Sequence, residues 1–197
     1  GRVAKRYPDV KFLIYHSGFE AGGREGEYRA SGPVVGVDSL IRSLRDNGVA
    51  PNSNVYAELG STWRFLMRDP TQAAHVLGKL LRYVGEDRVL WGTDCVWYGS
   101  PQDQIQAFRA FEISSELQGR FGYPALTPTI KAKVFGLNAA PVYGVEPAAI
   151  QRHGAADPVG RAKAVYRQSP RPSFTSYGPM TAQEFQELLR ERGNLPG

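Results

Sequence analysis

Two side chains suited to acid–base or metal chemistry follow apolar runs of this sequence. Asp94 ends the run "VLWGTD" (89–94), and His16 lies at the end of the run "VKFLIYH" (10–16). An ionised carboxylate at the end of a buried segment must be paired, hydrogen-bonded or bound to a cation, because burial of a bare charge is costly. Imidazole and carboxylate are also common proton carriers and metal ligands in enzymes. His16 and Asp94 are therefore the first candidates for a catalytic or metal-binding site.

The segments that carry these residues alternate with amphipathic helices. Dense apolar runs predict buried strands at 10–18, 54–60 and 88–94. Apolar residues at helical spacing, with capping residues such as Asp69 and Ser100, predict helices at 37–48, 69–85, 100–111 and 127–137. Buried strands that alternate with helices indicate an α/β fold with a parallel sheet, either an open doubly wound sheet or a (β/α)8 barrel. Both folds place functional residues at the carboxyl ends of strands.

Side-chain alternation along the strands predicts that the two candidates face one cavity. His16 shares a face with Ile14, and Asp94 shares one with Gly92, which leaves space beneath the carboxylate. If both faces point into a barrel, the two side chains converge at its mouth and approach within about 8 Å.

Four motifs carry a family resemblance: "YHSG" (15–18), "VYAELG" (55–60), "VLWGTD" (89–94) and "KAKVFGLNAAPVYGV" (131–145). In this order and spacing they resemble the carboxy-terminal half of a metal-dependent amidohydrolase, in the amidohydrolase 2 branch of hydrolases and decarboxylases, over about residues 8–145. The resemblance implies a (β/α)8 TIM barrel whose strands 6 to 8 lie in this chain. It also implies that Asp94 binds the catalytic metal and handles a proton. His16 is then either a ligand of a second metal or an acid–base group.

The resemblance further implies a divalent metal cofactor, with zinc expected and manganese as the alternative. The family's His-x-His pair and its further Lys or His are absent, and the chain has only three histidines, His16, His75 and His153. A catalytic metal usually takes about three protein ligands, and a complete barrel needs about 250 residues. We therefore expect the missing N-terminal half of the same protein as a partner, and we expect the chain alone to be inactive.

For the whole enzyme, the resemblance favours hydrolysis of a C–N or C–O bond in a small-molecule substrate by a metal-activated water. Asp94 would accept the proton of the water, and His16 would polarise a carbonyl or protonate the product. Two alternatives stay open: a metal-dependent decarboxylase, in which His16 delivers a proton to carbon, and a non-catalytic α/β assembly module.

The candidate residues also have plainer interpretations. Asp94 alone would be a loop or helix cap, and His16 a hydrogen-bonded core histidine; the family motifs favour the functional role for both. Glu58 either supports the site or forms a loop ion pair. Aromatic residues after the strand ends either pack the loops or line a pocket for a ring-bearing substrate; they are Phe19, Trp63, Phe65, Trp97 and Tyr98.

Composition excludes several classes of partner. The net charge is +5, but the basic residues are scattered, so we expect no nucleic acid partner. No apolar run approaches the roughly 18 residues of a membrane span, so we expect no membrane partner. The single cysteine, Cys95, rules out an internal disulfide and is expected to be a small buried side chain. A cytoplasmic location is favoured, and a targeting segment upstream of residue 1 stays open.

The composition changes after Val145. We expect residues 1–145 to form the barrel part and residues 146–197 to form an extended arm, rich in Pro, Gly and small residues, that ends in a short helix. Thr181 and Glu184 predict a capping box for that helix. Because so short a helix is marginal by itself, we expect it to dock on the barrel or on a neighbouring subunit of a homo-oligomer.

Overall fold

The structure of the chain, a computed structural model, describes residues 1–169 and 182–191. Its strands are β1 (Phe12–Ile14), β2 (Val55–Glu58) and β3 (Val89–Leu90). Its helices are α1 (Arg2–Arg6), α2 (Val37–Asp46), α3 (Thr62–Leu66), α4 (Pro70–Tyr83), α5 (Cys95–Tyr98), α6 (Gln102–Ala110), α7 (Ser115–Phe121), α8 (Pro128–Ala132), α9 (Ala139–Val142), α10 (Pro147–Ala156), α11 (Pro158–Gln168) and α12 (Ala182–Glu191).

The strands form one parallel sheet in the order β1–β2–β3. Phe12 pairs with Val55, and Ala57 pairs with Val89. This confirms the predicted mixed α/β fold with a parallel sheet. Because the strands run in one direction, their carboxyl ends lie at the same edge of the sheet.

The core lies between the sheet and the helices α2 and α4. Many of its buried residues come from β2, α2 and α4, among them Ala57, Ile41, Leu44, Val76, Leu77 and Leu80. The predicted cap of α4 is confirmed, since the Asp69 carboxylate accepts hydrogen bonds from the backbone N–H groups of Thr71 and Gln72. The packed helices and β2 hold the loops at the carboxyl edge of the sheet on a rigid base.

The strands are shorter than the sequence predicts. β1 ends at Ile14 because His16 and Ser17 adopt left-handed backbone conformations, with φ of 56° and 55°. β3 ends at Leu90, and the N–H of Trp91 donates to the carbonyl of Val134 instead of to a strand.

Two predicted helices differ from the structure in detail. α6 begins at Gln102, with Pro101 at the cap position, so the predicted cap Ser100 lies one residue before the observed one. The helix predicted at 127–137 is capped by Thr127 as α8, but it continues as a π-helical segment over Lys133–Leu137.

The extended arm predicted after Val145 is wrong for the first part of that segment, where the chain forms α10 and α11. Both helices begin with a proline, which suits the first turn because its missing N–H would have no helical partner. Asp157 caps α11 through the N–H of Gly160, at 2.9 Å. The short terminal helix is present as α12, and its predicted capping residue Thr181 lies outside the described residues.

In the described part of the chain, none of the helices has the length and apolar character that crossing a membrane requires. The prediction that Cys95 is buried is wrong, since its side chain is exposed at the start of α5.

Candidate active site

His16 and Asp94 meet at the carboxyl edge of the sheet. His16 lies two residues beyond β1, and Asp94 lies four residues beyond β3. The His16 Nδ1 atom is 3.6 Å from Asp94 Oδ2 and 3.9 Å from Oε2 of Glu58, the last residue of β2. The structure therefore brings the two predicted side chains well within the expected 8 Å and adds Glu58 to them. Their catalytic and metal-binding roles stay predictions.

Backbone strain is concentrated around these side chains. Among the described residues, left-handed φ values outside glycine occur at His16, Ser17, Asn52, Ser61 and Asp94. All but Asn52 lie in the loops that follow the strands, and such conformations cost about 1–3 kcal/mol each unless the surroundings enforce them. The alternation of side chains along strands correctly predicts that His16 and Asp94 lie close together. The residues are not in strands, however, and their left-handed backbone conformations set their positions.

Glu58 holds the loops around the site through its carboxylate. Its Oε2 accepts a hydrogen bond from the N–H of His16 at 3.1 Å, and its Oε1 accepts one from the N–H of Gly60 at 2.6 Å. A Cβ at Gly92 would overlap Oε1 of Glu58. The space predicted beneath Asp94 is therefore filled by the Glu58 carboxylate, which supports the backbone of two loops.

The ring of His16 has a defined orientation. Its Nδ1 makes a short hydrogen bond with the carbonyl oxygen of Gly60. Because a carbonyl only accepts, Nδ1 carries the hydrogen, and in the neutral ring Nε2 has the free lone pair. Histidines that bind metals commonly donate their second N–H to a carbonyl or carboxylate in this way. The side chain as a whole is 41% exposed.

Asp94 accepts a hydrogen bond from Ser61, which no sequence motif singles out, and Ser61 in turn contacts the hydroxyl of Tyr98, which the sequence indicates only as an aromatic residue of the loops or of a pocket. Ser61 donates to Asp94 Oδ2 at 2.6 Å, and the Ser61 hydroxyl oxygen lies 3.0 Å from the Tyr98 hydroxyl. The available signal was weak: a serine directly after the "ELG" of β2 and a tyrosine one helical turn after Asp94.

Further hydrogen bonds tie the three loops together. Ser17 Oγ donates to the carbonyl of Glu58, and Thr62 Oγ1 donates to the carbonyl of His16, both at 2.8 Å. The buried Gln104 side chain of α6 donates to the carbonyl of Thr93, next to Asp94, at 3.0 Å. Each candidate residue is therefore fixed by its own loop and by the loop of the neighbouring strand.

The aromatic residues after the strands divide into two groups. Trp63 is buried in the core, where its Nε1–H donates to the carbonyl of Gln104. Phe19, Phe65 and Tyr98 contact one another near the site, at ring separations of 6.1 and 6.2 Å. Trp97 is 80% exposed. A pocket for a ring-bearing substrate is thus confined to the second group and stays a prediction.

The other two histidines do not join the site. The polar residues near His75 in the sequence indicate an exposed face of α4, but His75 is buried. Its Nδ1 lies 2.9 Å from the Tyr123 hydroxyl. Burial lowers the pKa of His75, and the nearby Lys79 ammonium lowers it further. His153 is exposed on α10.

The described residues fit part of a metal centre. Nε2 of His16 and Oδ1 of Asp94 are suitable donors that receive no hydrogen bond from the described residues. Within residues 1–169 and 182–191, however, no group of three or more His, Cys, Asp or Glu side chains is arranged to hold a metal ion. Two donors are fewer than the three that a catalytic zinc generally takes from protein.

Comparison with known proteins gave one finding. A family model described as Amidohydrolase matches residues 1–145. No curated protein and no solved structure matched the chain. The matched segment contains all three strands and every residue of the candidate site.

Proposed function

The chain belongs to the amidohydrolase family, and we propose that it is part of a metal-dependent hydrolase that cleaves a C–N or C–O bond of a small, ring-bearing substrate. The observation that carries the proposal is the approach of His16 Nδ1 to within 3.6 Å of Asp94 Oδ2 at the carboxyl edge of a parallel sheet. That edge is where α/β enzymes hold their catalytic groups.

Asp94 is the proposed metal ligand and proton acceptor. Ser61 occupies its Oδ2, so Oδ1 is the oxygen that remains for a cation or for a proton. A bound divalent ion, zinc or manganese, would lower the pKa of a water to about 7 and polarise the scissile carbonyl. The side chain is 26% exposed, which leaves it open to water.

His16 is the proposed partner of Asp94 in proton transfer. The Gly60 carbonyl keeps the hydrogen on Nδ1 and leaves the lone pair on Nε2. Nε2 is then able to bind a second cation or to take up a proton and deliver it to the leaving group. The carboxylates of Glu58 and Asp94 lie within 4 Å of Nδ1.

We also propose that β1, β2 and β3 are strands 6 to 8 of a (β/α)8 barrel completed by the N-terminal half of the same protein. The parallel order of the strands and the family match support this assignment. The number of donors agrees with it, because the described residues present two of about three ligands and the other half would supply the rest.

The test is a substrate and metal screen of the purified protein, including the longer protein that contains the N-terminal half. Amides, esters and aromatic or unsaturated carboxylic acids are incubated with it after loading with zinc or manganese. We expect hydrolysis that is lost in Asp94→Asn and in His16→Gln but kept in His153→Gln, which removes the exposed histidine of α10.

Release of carbon dioxide with no hydrolysis would show that the protein is a decarboxylase and that the proposed hydrolase is wrong. In that case His16 would protonate a carbon atom. Turnover that survives Asp94→Asn, or no turnover and no metal uptake by the longer protein, would overturn the proposed enzyme and leave the assembly module.

A further inference from the structure

A chain of hydroxyl groups runs from the aromatic contacts near the site to the Asp94 carboxylate. We propose that Ser61 and Tyr98 are positioning residues, which set the orientation of Asp94 through directed hydrogen bonds. This inference rests on the proposed function, which assigns Asp94 the roles of metal ligand and proton acceptor. The hydroxyl groups of Ser61 and Tyr98 are assigned no contact with substrate, whereas the ring of Tyr98 stays a candidate for the wall of the proposed pocket.

The direction of the chain follows from its donors and acceptors. An ionised carboxylate only accepts, so the single hydroxyl hydrogen of Ser61 is committed to Asp94 Oδ2, at 2.6 Å. The 3.0 Å contact between the two hydroxyl groups then requires Tyr98 to donate to Ser61. The order is therefore Tyr98 to Ser61 to Asp94, with every hydrogen in use.

Although Ser61 lies at the N-terminus of a helix, its hydroxyl does not cap that helix. Ser61 occupies the N-cap position of α3, where a serine side chain normally accepts a hydrogen bond from the first turn. Its side chain makes no such bond. Its φ of 52° is also unfavourable for any residue with a Cβ. The residue bears this strain while its hydroxyl contacts Asp94 and not its own helix.

Tyr98 is fixed on its other side by neighbours outside the chain of hydroxyl groups. Its ring packs edge-on against Phe65, at a centroid distance of 6.2 Å, and the Arg64 guanidinium lies 5.7 Å from the ring centre. Arg64 and Phe65 belong to α3, the helix that begins directly after Ser61. Two kinds of contact therefore join the segments that follow β2 and β3: packing of the Phe65 and Tyr98 rings, and the hydrogen bond between the Ser61 and Tyr98 hydroxyl groups.

The consequence is that Asp94 has one committed oxygen and one available oxygen. Without Ser61, the carboxylate would rotate and offer either oxygen, and the left-handed backbone of Asp94, with φ of 49°, would lose a restraint. A hydrogen bond to a charged group is stronger than one between neutral groups. Loss of the Ser61 hydroxyl should therefore affect turnover more than loss of the Tyr98 hydroxyl.

The kinetic test uses the protein in which turnover has been found, with substitutions that separate strain from hydrogen bonding. Ser61→Gly removes the hydroxyl and relieves the φ, Ser61→Ala removes the hydroxyl and keeps the strain, and Tyr98→Phe removes one hydroxyl from an intact ring. We expect kcat to fall by about tenfold to a hundredfold in both Ser61 variants and by about threefold to tenfold in Tyr98→Phe. KM should change little, because neither hydroxyl group is assigned a contact with substrate and Tyr98→Phe keeps the aromatic ring.

Non-additivity distinguishes a relay from two independent contacts. Because Tyr98 acts through Ser61, adding Tyr98→Phe to Ser61→Gly should cause no further loss of kcat. Tyr143→Phe is the matched control, since it removes a hydroxyl from an exposed tyrosine at the end of α9. It should leave kcat unchanged.

A second readout does not depend on turnover. In protein labelled with 13C at tyrosine Cζ, the Tyr98 resonance is identified by its absence from Tyr98→Phe. Ser61→Gly should shift this resonance, and Tyr143→Phe should not. An unmoved Tyr98 resonance, or kcat losses that simply multiply in the double variant, would overturn the relay.

The same experiments separate this inference from the proposed function. Loss of turnover in Asp94→Asn together with parental kinetics in Ser61→Gly and Tyr98→Phe would overturn the relay alone. Retained turnover in Asp94→Asn would overturn the proposed function and, with it, the catalytic meaning of the relay.

Discussion

At the residue scale, the Glu58 carboxylate depends on the missing side chain at Gly92. Glu58 bonds to the backbone of His16 and Gly60, and a Cβ at Gly92 would overlap its Oε1. We expect Gly92→Ala to displace Glu58 and lower kcat/KM by about a hundredfold, since misplacement of a catalytic group by about 1 Å costs that much. Overpacking should also destabilise the fold by about 1–3 kcal/mol.

The control is Gly26→Ala, because a Cβ at Gly26 meets nothing within 4 Å. Kinetics and urea unfolding of the two variants should therefore differ. Equal and small effects would show that Glu58 has no strict position at the site.

A second prediction at this scale concerns pH and His75. Burial, followed by Lys79, lowers the pKa of His75 in the folded chain. As the pH falls below about 6.5, the unfolded chain binds the proton first, so stability should decrease on acidification. The decrease continues down to the lowered pKa of the folded state, with a slope of up to about 1.4 kcal/mol per pH unit.

Urea unfolding between about pH 7 and pH 5 checks this linkage. His75→Gln should flatten the profile, whereas His153→Gln, which changes an exposed histidine, should not. Parallel profiles for the parent and His75→Gln would contradict the prediction.

Individual site residues were predictable from the sequence only where a motif marked them. His16 and Asp94 follow apolar runs and stand within family motifs, so the position of each was evident. Ser61 was missed, and Tyr98 was named only as an aromatic residue of the loops or of a pocket, because their hydroxyl contact joins two loops that are far apart in sequence. The structural role of Glu58 was left open for the same reason, since it rests on the backbone conformations of His16 and Gly60.

At the scale of elements, a buried ion cluster fixes the glycine-rich segment that follows β1, residues 20–33. Lys79 of α4 is 1% exposed, and its Nζ lies 2.7 Å from Glu25 Oε2 and 2.6 Å from Asp38 Oδ1. Glu25 also accepts a hydrogen bond from the N–H of Val37 at the start of α2. A segment without regular structure is thereby attached to two helices.

We expect Lys79→Met to destabilise the fold by about 3–5 kcal/mol, because it leaves the buried carboxylates of Glu25 and Asp38 without a counter-charge. The variant is compared with the parent by urea unfolding. Lys163→Met, on the exposed surface of α11, should leave the midpoint unchanged. A loss of less than about 1 kcal/mol in Lys79→Met would show that water or a rearrangement replaces the ammonium.

Elements were predicted well where local signals and packing agree. The caps of α4 and α8, at Asp69 and Thr127, were legible in the sequence and are present. The helices α10 and α11 were missed because their proline- and glycine-containing sequence lacks an apolar period, although alanine and N-terminal proline favour them. The strand ends were misplaced because tertiary contacts impose left-handed turns on residues that suit a strand, as at His16.

At the scale of the whole molecule, the sheet and the metal donors lead to the same proposal. On the side of β3 away from β2, the segment Lys133–Leu137 lies next to the end of the strand, where the Trp91 N–H donates to the Val134 carbonyl. Strand β1 pairs with β2 on one side and has no strand on its other side among the described residues. Strands 1 to 5 of the proposed barrel, supplied by the N-terminal half, would extend the sheet at β1 and close it at β3.

If the proposed N-terminal half exists, we predict that the 197-residue chain binds zinc and manganese much more weakly than the longer protein that contains it. The described residues offer His16 and Asp94 as donors, without the three-residue group that a metal centre requires. Loss of a partner that only hydrogen-bonds to a metal ligand already weakens affinity by roughly tenfold to a hundredfold, so loss of whole ligands should cost more. Calorimetric titration of both proteins measures the difference.

Three variants of the longer protein decide how the two donors are used. Asp94→Ala should remove both metal and turnover, and His153→Ala should change neither, which controls for adventitious binding to an exposed histidine. His16→Ala should lose turnover and keep most of the metal if His16 is the acid–base group of a one-metal site, whereas loss of metal as well would make it a ligand of a second ion. Tight stoichiometric binding by the 197-residue chain would show that its own residues complete the centre, and the proposed contribution of an N-terminal half would then be wrong.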